Sequence, residues 1–142
     1  MNPYSAYTQA RELVDENDKR KVLVAVLGAL PEKIEGVKLL IAEKKYEKKY
    51  HELTKITMVL EILDQSLDLS FGEIPRNLSS LYRYLIRRLI EVHATLDVKT
   101  LDECKEIIGR IGDGFIQAYE QLKKSSSRQP MAEASISIRT QI

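Results

Sequence analysis

Tryptophan is absent from this chain of 142 residues, and the aromatic side chains are limited to two phenylalanines and seven tyrosines. Aliphatic residues must therefore supply most of any buried core. The single cysteine excludes an intrachain disulfide framework and is typical of a protein kept in a reducing compartment. The formal net charge is only +1, from 22 basic and 21 acidic residues, which argues against a dedicated nucleic-acid binder.

Long apolar stretches are also missing. No run of about 20 apolar residues occurs, so we expect no transmembrane helix and no stable membrane insertion. The first nine residues lack a basic segment followed by an apolar one, so no secretory signal is visible. The length suits one compact domain. We therefore expect a soluble, cytoplasmic, single-domain protein.

Recognisable catalytic and metal-binding motifs are lacking as well. The only histidines are His51 and His93, and neither belongs to a His-Glu-x-x-His or Glu-x-x-His pattern. No phosphate-binding glycine loop follows a strand-like segment. We predict no enzyme activity, no cofactor and no metal site. A small enzyme or a metal-binding bundle is the least favoured interpretation.

Apolar residues recur with the period of an α-helix throughout the chain. We predict four helices, over about residues 19–44, 46–68, 74–96 and from Thr100 onward. Asn17 or Asp18 is a suitable N-cap for the first helix, and Thr100 with Glu103 has the pattern of a capping box for the fourth. The links between helices are short, which makes consecutive helices antiparallel neighbours. The predicted fold class is all-α, an antiparallel up-down four-helix bundle with a short N-terminal arm.

The composition changes after Lys124, where three serines are soon followed by Pro130. We predict a bundle domain over residues 1–124 and a Ser-rich flexible C-terminal tail over residues 125–142. Ile136 and Ile138 alternate with polar residues, so this segment is either disordered or an extended segment added to another surface.

The predicted helices carry more apolar residues than a four-helix core needs. The third helix has a main stripe, which we assign to the core: Ile74, Leu78, Leu81, Leu85, Leu89, Val92 and Leu96. Beside it and on the other helices lie further apolar positions: Ile56, Val59, Ile62, Tyr82, Ile86, Ile90, Ile107 and Ile116. The surplus indicates a wide core, or cover by the N-terminal arm and the C-terminal tail, or a groove for an amphipathic partner helix.

Three smaller features have ordinary structural interpretations. Cys104 falls in the apolar stripe of the fourth helix and is expected to be buried. Gly109, Gly112 and Gly114 permit a close helix contact or a shallow groove. The basic cluster at residues 44–49 reads as a solvated turn, with a phosphate or membrane site as the less favoured alternative.

Several short motifs occur in a distinctive order. The chain opens with Asn2-Pro3-Tyr4-x-x-Tyr7-x-Gln9. Further motifs surround the predicted third helix: Leu67-Asp68, Gly72-Glu73-Ile74, Asn77-Leu78, Leu81-Tyr82 and Arg88-Leu89-Ile90. Together they resemble the FliS family of flagellin export chaperones over about residues 1–122. The chain departs from that pattern at Phe71, where the family usually has a glycine, and at Phe115, where a tryptophan is common.

The resemblance implies a function that composition does not show. Members of the family bind the disordered C-terminal segment of flagellin in the bacterial cytoplasm, prevent its premature polymerisation and bring it to the gate of the flagellar type III export apparatus. The expected partners are thus flagellin and a flagellar export gate protein, and the protein is expected to be a monomer or weak dimer. The alternative is a structural bundle that self-associates through the same apolar surface.

Twelve residues are the predicted partner-binding set: Tyr4, Tyr7, Ile56, Val59, Ile62, Leu63, Tyr82, Ile86, Ile90, Ile107, Ile111 and Phe115. Tyr4 and Tyr7 would belong to an arm that occupies the groove when the partner is absent, or else they simply cover the end of the bundle.

Overall fold

The computed structural model describes residues 16–128 of the chain. These residues form four α-helices: α1, Glu16–Ala42; α2, Tyr46–Gln65; α3, Glu73–Thr95; and α4, Val98–Arg128. A short 3-10 turn, Leu69–Phe71, lies between α2 and α3. The predicted all-α four-helix bundle is confirmed. The up-down order stays a prediction, and the N-terminal arm with Tyr4 and Tyr7 lies outside the described residues. None of the four described helices has both the length and the apolar character needed to cross a bilayer.

Each helix packs against two others, so the four helices close a ring. The α1/α4 and α2/α3 pairs pack most closely, and α3 packs least closely against α4. Side-chain contacts pair Glu35 with Lys105 at 2.8 Å and Lys38 with Asp102 at 2.7 Å between α1 and α4. The higher-numbered residue of α1 therefore contacts the lower-numbered residue of α4.

The core is almost entirely aliphatic, as the shortage of aromatic residues predicts. Its buried apolar side chains are Leu27, Leu30, Ile34, Val37, Leu53, Ile56, Leu60, Leu63, Tyr82, Leu85, Leu89, Val92, Leu101, Cys104 and Ile108. The burial of Cys104 confirms its assignment to the core stripe. Burial in these apolar surroundings raises the pKa of the Cys104 thiol to about 12, so the thiol is unreactive at neutral pH.

The first connection ends α1 at Ala42, two residues before the predicted boundary. The N–H of Lys45 donates to the Leu40 carbonyl and that of Lys44 to the Ile41 carbonyl, with Lys44 at φ 57°. This is the Schellman arrangement, in which a left-handed residue satisfies the last carbonyls of a helix. At the other end, Asn17 and Asp18 lie inside α1, so their predicted capping role is wrong.

The second connection differs from the prediction because α2 ends at Gln65 rather than near Asp68. The Asp68 carboxylate instead accepts from the N–H and the hydroxyl of Ser70, at 3.0 and 2.6 Å, and thereby starts the 3-10 turn. Gly72 then adopts φ 110°, ψ −150°, a conformation that is open almost only to glycine. The chain consequently enters α3 at Glu73.

The fourth helix begins at Val98, and the predicted capping box at Thr100 is wrong. Asp97 is the cap, because its carbonyl accepts from Leu101 at 3.4 Å and its carboxylate accepts from the N–H of Lys99 at 2.9 Å. Thr100 lies inside the first turn and is buried, and its hydroxyl oxygen accepts from Arg88 at 3.3 Å.

The other end of α4 reaches Arg128, four residues beyond the predicted domain boundary at residue 124. Residues 129–142 lie outside the described residues. The division into a bundle domain and a tail therefore stays a prediction.

The basic cluster at the α1–α2 connection is only partly solvated. Lys45 is exposed and pairs with Glu43 at 2.9 Å. Lys49, by contrast, is buried, and its amine donates to the carbonyl of His93 on α3 at 3.4 Å. The ring of Tyr50 lies 4.9 Å from the ring of His93. The cluster thus helps to join α2 to α3.

The surroundings of His93 predict that the stability of the folded protein depends on pH. Its Nδ1 atom is buried without a hydrogen-bond partner among the described residues. Burial, and secondly the charge of Lys49, lower the pKa of His93 below its ordinary value of 6.5. The unfolded chain therefore takes up the proton first as the pH falls. We expect the free energy of unfolding to decrease as the pH falls from above 6.5 through the lower pKa of folded His93.

The test is urea unfolding of the wild-type protein and of His93→Gln, followed by circular dichroism over this pH range. The variant should show a shallower dependence than the wild type. Equal slopes would show that another group causes the dependence.

Candidate partner-binding groove

An apolar groove of about 380 Å³ lies between the N-terminal half of α3 and the middle of α4. We call it the α3–α4 groove. Its volume is near the lower end of the usual range for ligand sites, about 300–1,000 Å³. The apolar lining comes from both helices: Ile74, Leu78, Leu81, Ile111, Phe115 and Ala118.

The same helical spacing produces both walls. Ile74, Leu78 and Leu81 are separated by four and then three residues on α3, and so are Ile111, Phe115 and Ala118 on α4. Residues at this spacing share one face of a helix. Two parallel rows of apolar side chains therefore face the same space.

Gly114 keeps the space between these rows open. A Cβ atom added at Gly114 would meet no atom within 4 Å, and Gly109 is equally open. Gly112 differs, because a Cβ there would lie 3.6 Å from the Cβ of Leu27 on α1. Of the two roles predicted for the three glycines, Gly112 supports the close helix contact and Gly114 supports the groove.

Polar groups are confined to the edge of the groove, where Asn77 and Arg110 contribute to the lining. Arg110 is exposed and pairs with Glu106 at 2.6 Å on its own helix. In residues 16–128, no group of three or more His, Cys, Asp or Glu side chains could hold a metal ion. The arrangement suits the binding of apolar side chains, with hydrogen bonding at the margin.

The predicted core stripe of α3 divides into two parts. Leu85, Leu89 and Val92 are buried in the core as expected. Ile74 and Leu81, however, are 64% and 40% exposed and face the groove. The reason is the width of the apolar face: each residue advances about 100° around the helix, so neighbouring apolar positions need not face the same partner.

Tyr82 takes the core position that the prediction gave to Leu81. The side chain of Tyr82 is only 1% exposed, and burial raises its pKa to about 12. Two contacts to the Asp64 carboxylate of α2 set the rotation of α3 about its axis. Ser79 donates to Asp64 at 2.5 Å and Arg83 donates to it at 3.4 Å. With α3 in this rotation, Tyr82 faces the core and Leu81 lies at the surface.

The predicted partner-binding residues therefore occupy different environments. Three are buried in the core: Ile56, Leu63 and Tyr82. Three are half-buried and pack against the core: Val59, Ile86 and Ile107. Two are exposed: Ile62 and Ile90. Only Ile111 and Phe115 line the groove. Tyr4 and Tyr7 lie outside the described residues.

The two exposed members of this set and the half-buried Ile86 are absent from the groove lining. Ile86 and Ile90 follow Ser79 and Arg83 by seven residues, so they lie on the flank of α3 that faces α2. Ile62 lies two residues from buried Leu60, which directs it away from the core. The structure thus brings together two of the predicted residues and leaves these three elsewhere.

Sequence reasoning missed most of the groove. Ile74, Leu78 and Leu81 were assigned to the core stripe, and Asn77, Gly114 and Arg110 were not proposed as binding residues. A signal was nevertheless present. Four lining residues of α3 belong to the motifs that carry the family resemblance: Ile74, Asn77, Leu78 and Leu81.

The described residues thus form an all-helical bundle with an exposed apolar groove. Comparison with known families gives the class: a family model described as flagellar protein FliS matches residues 1–122, and the chain belongs to this family. Among curated proteins, it is similar to the flagellar secretion chaperone FliS of Salmonella typhimurium strain LT2, with 29% identity over 78 residues. That match covers 51% of this chain and 58% of the relative, so less than two thirds of the relative's length is spanned.

Proposed function

We propose that this protein is a cytoplasmic export chaperone without enzyme activity. It binds the disordered C-terminal segment of flagellin, prevents its premature polymerisation and delivers it to the gate of the flagellar type III export apparatus. Membership in the FliS family supports this proposal, as does similarity to a relative named flagellar secretion chaperone. The observation that carries it is the apolar α3–α4 groove.

The groove has the features that an amphipathic partner segment requires. Such a segment presents apolar side chains at positions i, i+4 and i+7, which is the spacing of both groove walls. Its polar face would remain in water beside Asn77 and Arg110. The four α3 residues that line the groove all belong to motifs through which the chain resembles the family.

The magnitudes indicate that the contact extends beyond the groove. Three buried aliphatic side chains contribute about 5–9 kcal/mol in total. Ordering a disordered segment costs about 2–5 kcal/mol, and loss of translational and rotational freedom costs at least about 4 kcal/mol more. The groove alone therefore gives weak binding. Leu69 and Phe71, both exposed and just before α3, are the next apolar side chains that the segment would cover.

The experiment is isothermal titration with a peptide of the C-terminal region of flagellin from the same cell. Ile74→Asp should weaken binding by at least about tenfold, because one buried apolar contact is replaced by an unpaired charge. Ile62→Asp is the matched control, since Ile62 and Ile74 are 62% and 64% exposed but only Ile74 lines the groove.

An equal loss of peptide affinity in the two variants, or a larger loss for Ile62→Asp, would indicate that the partner contacts the outer face of α2. Absence of binding by the wild-type protein would refute the chaperone proposal. The exposed apolar groove would then favour the alternative, a self-associating structural bundle. Sedimentation would show that alternative as a stable dimer that Ile74→Asp dissociates.

A further inference from the structure

The α3–α4 groove is open at the end from which the chain leaves α4. Contacts between the two helices pair Tyr84 with Glu103 and Arg88 with Thr100. Continuing this register places Glu73, the first residue of α3, opposite about residue 115 of α4. The rest of α4, as far as Arg128, extends past α3. One wall of the groove therefore leads directly into residues 129–142.

Those last residues carry a pattern that fits the groove. From Ala132 onward, small or apolar residues occupy even positions and polar ones odd positions, apart from Thr140; the apolar set is Ala132, Ala134, Ile136, Ile138 and Ile142. Strict alternation is typical of an extended segment with one apolar edge. Its apolar side chains recur about every 6.6 Å, close to the about 6 Å between residues four apart on a helix.

The chain length also fits. Pro130 disfavours a regular helix at residues 129 and 130, so the chain is free to change direction after Arg128. Ala118 and Gly114 lie about 15 and 21 Å back along α4 from Arg128. An extended chain from residue 132 covers about 13 Å at Ile136 and about 20 Å at Ile138. These two isoleucines thus reach the level of Ala118 and Gly114.

We propose that residues 132–142 fold back along α4 and place Ile136 and Ile138 in the α3–α4 groove. The segment that precedes Glu16 is a less direct occupant, because α1 packs on the other flank of α4, where Leu27 meets Gly112. The tail, in contrast, continues the helix that forms the wall. The chain covers its own apolar groove when no partner is bound. Competition with flagellin is the regulatory consequence, and it rests on the proposed function.

Proximity cross-linking in the full chain tests the docking directly. Ala118→Cys and Ile138→Cys are introduced together and treated with a short bis-maleimide. Cys104 can remain, because it is buried and its thiol pKa is raised to about 12. The matched control pairs Ile138→Cys with Met58→Cys, since Met58 is exposed on α2, outside the groove lining. We expect a several-fold higher yield of intramolecular cross-link for the Ala118 pair, and a loss of that excess when Ile136→Asp is added.

Three outcomes would overturn the docking. Equal yields for the two pairs would show that the tail does not prefer the groove. Mainly intermolecular products would identify a second copy as the occupant. A higher yield for Tyr7→Cys with Ala118→Cys would identify the N-terminal segment instead.

A second measurement tests the regulatory consequence separately. Ile136→Asp with Ile138→Asp should tighten binding of the flagellin peptide about threefold or more, if the tail occupies the groove for two thirds of the time or longer. Ser135→Asp with Ser137→Asp adds the same charge at odd positions and should leave the affinity unchanged. Equal affinities in the two double variants would refute the competition. If no variant binds the peptide, the proposed function fails, while the cross-linking result still decides whether the tail docks.

Discussion

Gly114→Leu is expected to weaken binding of the flagellin segment by about tenfold to a hundredfold without unfolding the protein. A Cβ at this position meets no atom within 4 Å, so the leucine side chain fits the helix but occupies the α3–α4 groove. Filling a site of this kind costs about 1–3 kcal/mol, which corresponds to that loss in affinity. The helix itself gains, because leucine has a higher helix propensity than glycine by several tenths of a kcal/mol or more.

Gly109→Leu provides the matched control for this prediction. Gly109 lies on the same helix, and a Cβ there also meets open space, but it does not line the groove. Titration calorimetry gives the affinity, and circular dichroism during heating gives the melting temperature. Both variants should melt at or above the wild-type temperature, and only Gly114→Leu should lose the partner. Unchanged affinity in Gly114→Leu would place the partner elsewhere on the bundle.

Leu89→Ala is expected to lower the free energy of unfolding by about 2–5 kcal/mol. Leu89 is fully buried in the core, so truncation removes apolar contacts and leaves a cavity that its neighbours fill only in part. A domain of this size has a total stability of about 5–15 kcal/mol, so this single change removes a substantial fraction of it. Urea unfolding followed by circular dichroism measures the loss.

Ile90→Ala is the natural comparison, because Ile90 is the next residue and is 51% exposed. Its substitution should change stability by less than about 1 kcal/mol. A loss similar to that of Leu89→Ala would show that another surface covers Ile90 in solution. A small loss for both variants would contradict the core assignment of Leu89.

The helical period of the apolar residues predicted the number and approximate positions of the helices, and most of the core. This worked because four long amphipathic segments leave little choice of architecture. The ends were less predictable, since several residues compete for each capping role. Asp97 takes the role expected of Thr100, because the chain reverses at Leu96 with φ 56° and α4 therefore starts earlier.

The groove could be predicted only in part, because α3 carries two adjacent apolar faces. Leu81 and Tyr82 are both suitable for burial, and the spacing of apolar residues does not say which of them faces inward. The choice depends on Asp64 of α2, which binds Ser79 and Arg83 and so fixes the rotation of α3. Such an interhelical contact has no signature in the sequence of α3 itself. The family motifs around Ile74 and Leu81 were the better guide to the groove lining.

Polar contacts between α3 and α4 are concentrated at one end of the helix pair. In the part of the chain that the structure describes, the hydrogen bonds and ion pairs between these helices all involve Tyr84 or Arg88, which bind Thr100 and Glu103. The groove lies at the other end of the same seam, where apolar side chains line the contact. Directional polar contacts therefore hold the two helices at one end of the pair, and non-directional apolar contacts line the other end. Under the proposed function, flagellin side chains of different size would meet no fixed donor–acceptor geometry in the groove that has to be broken.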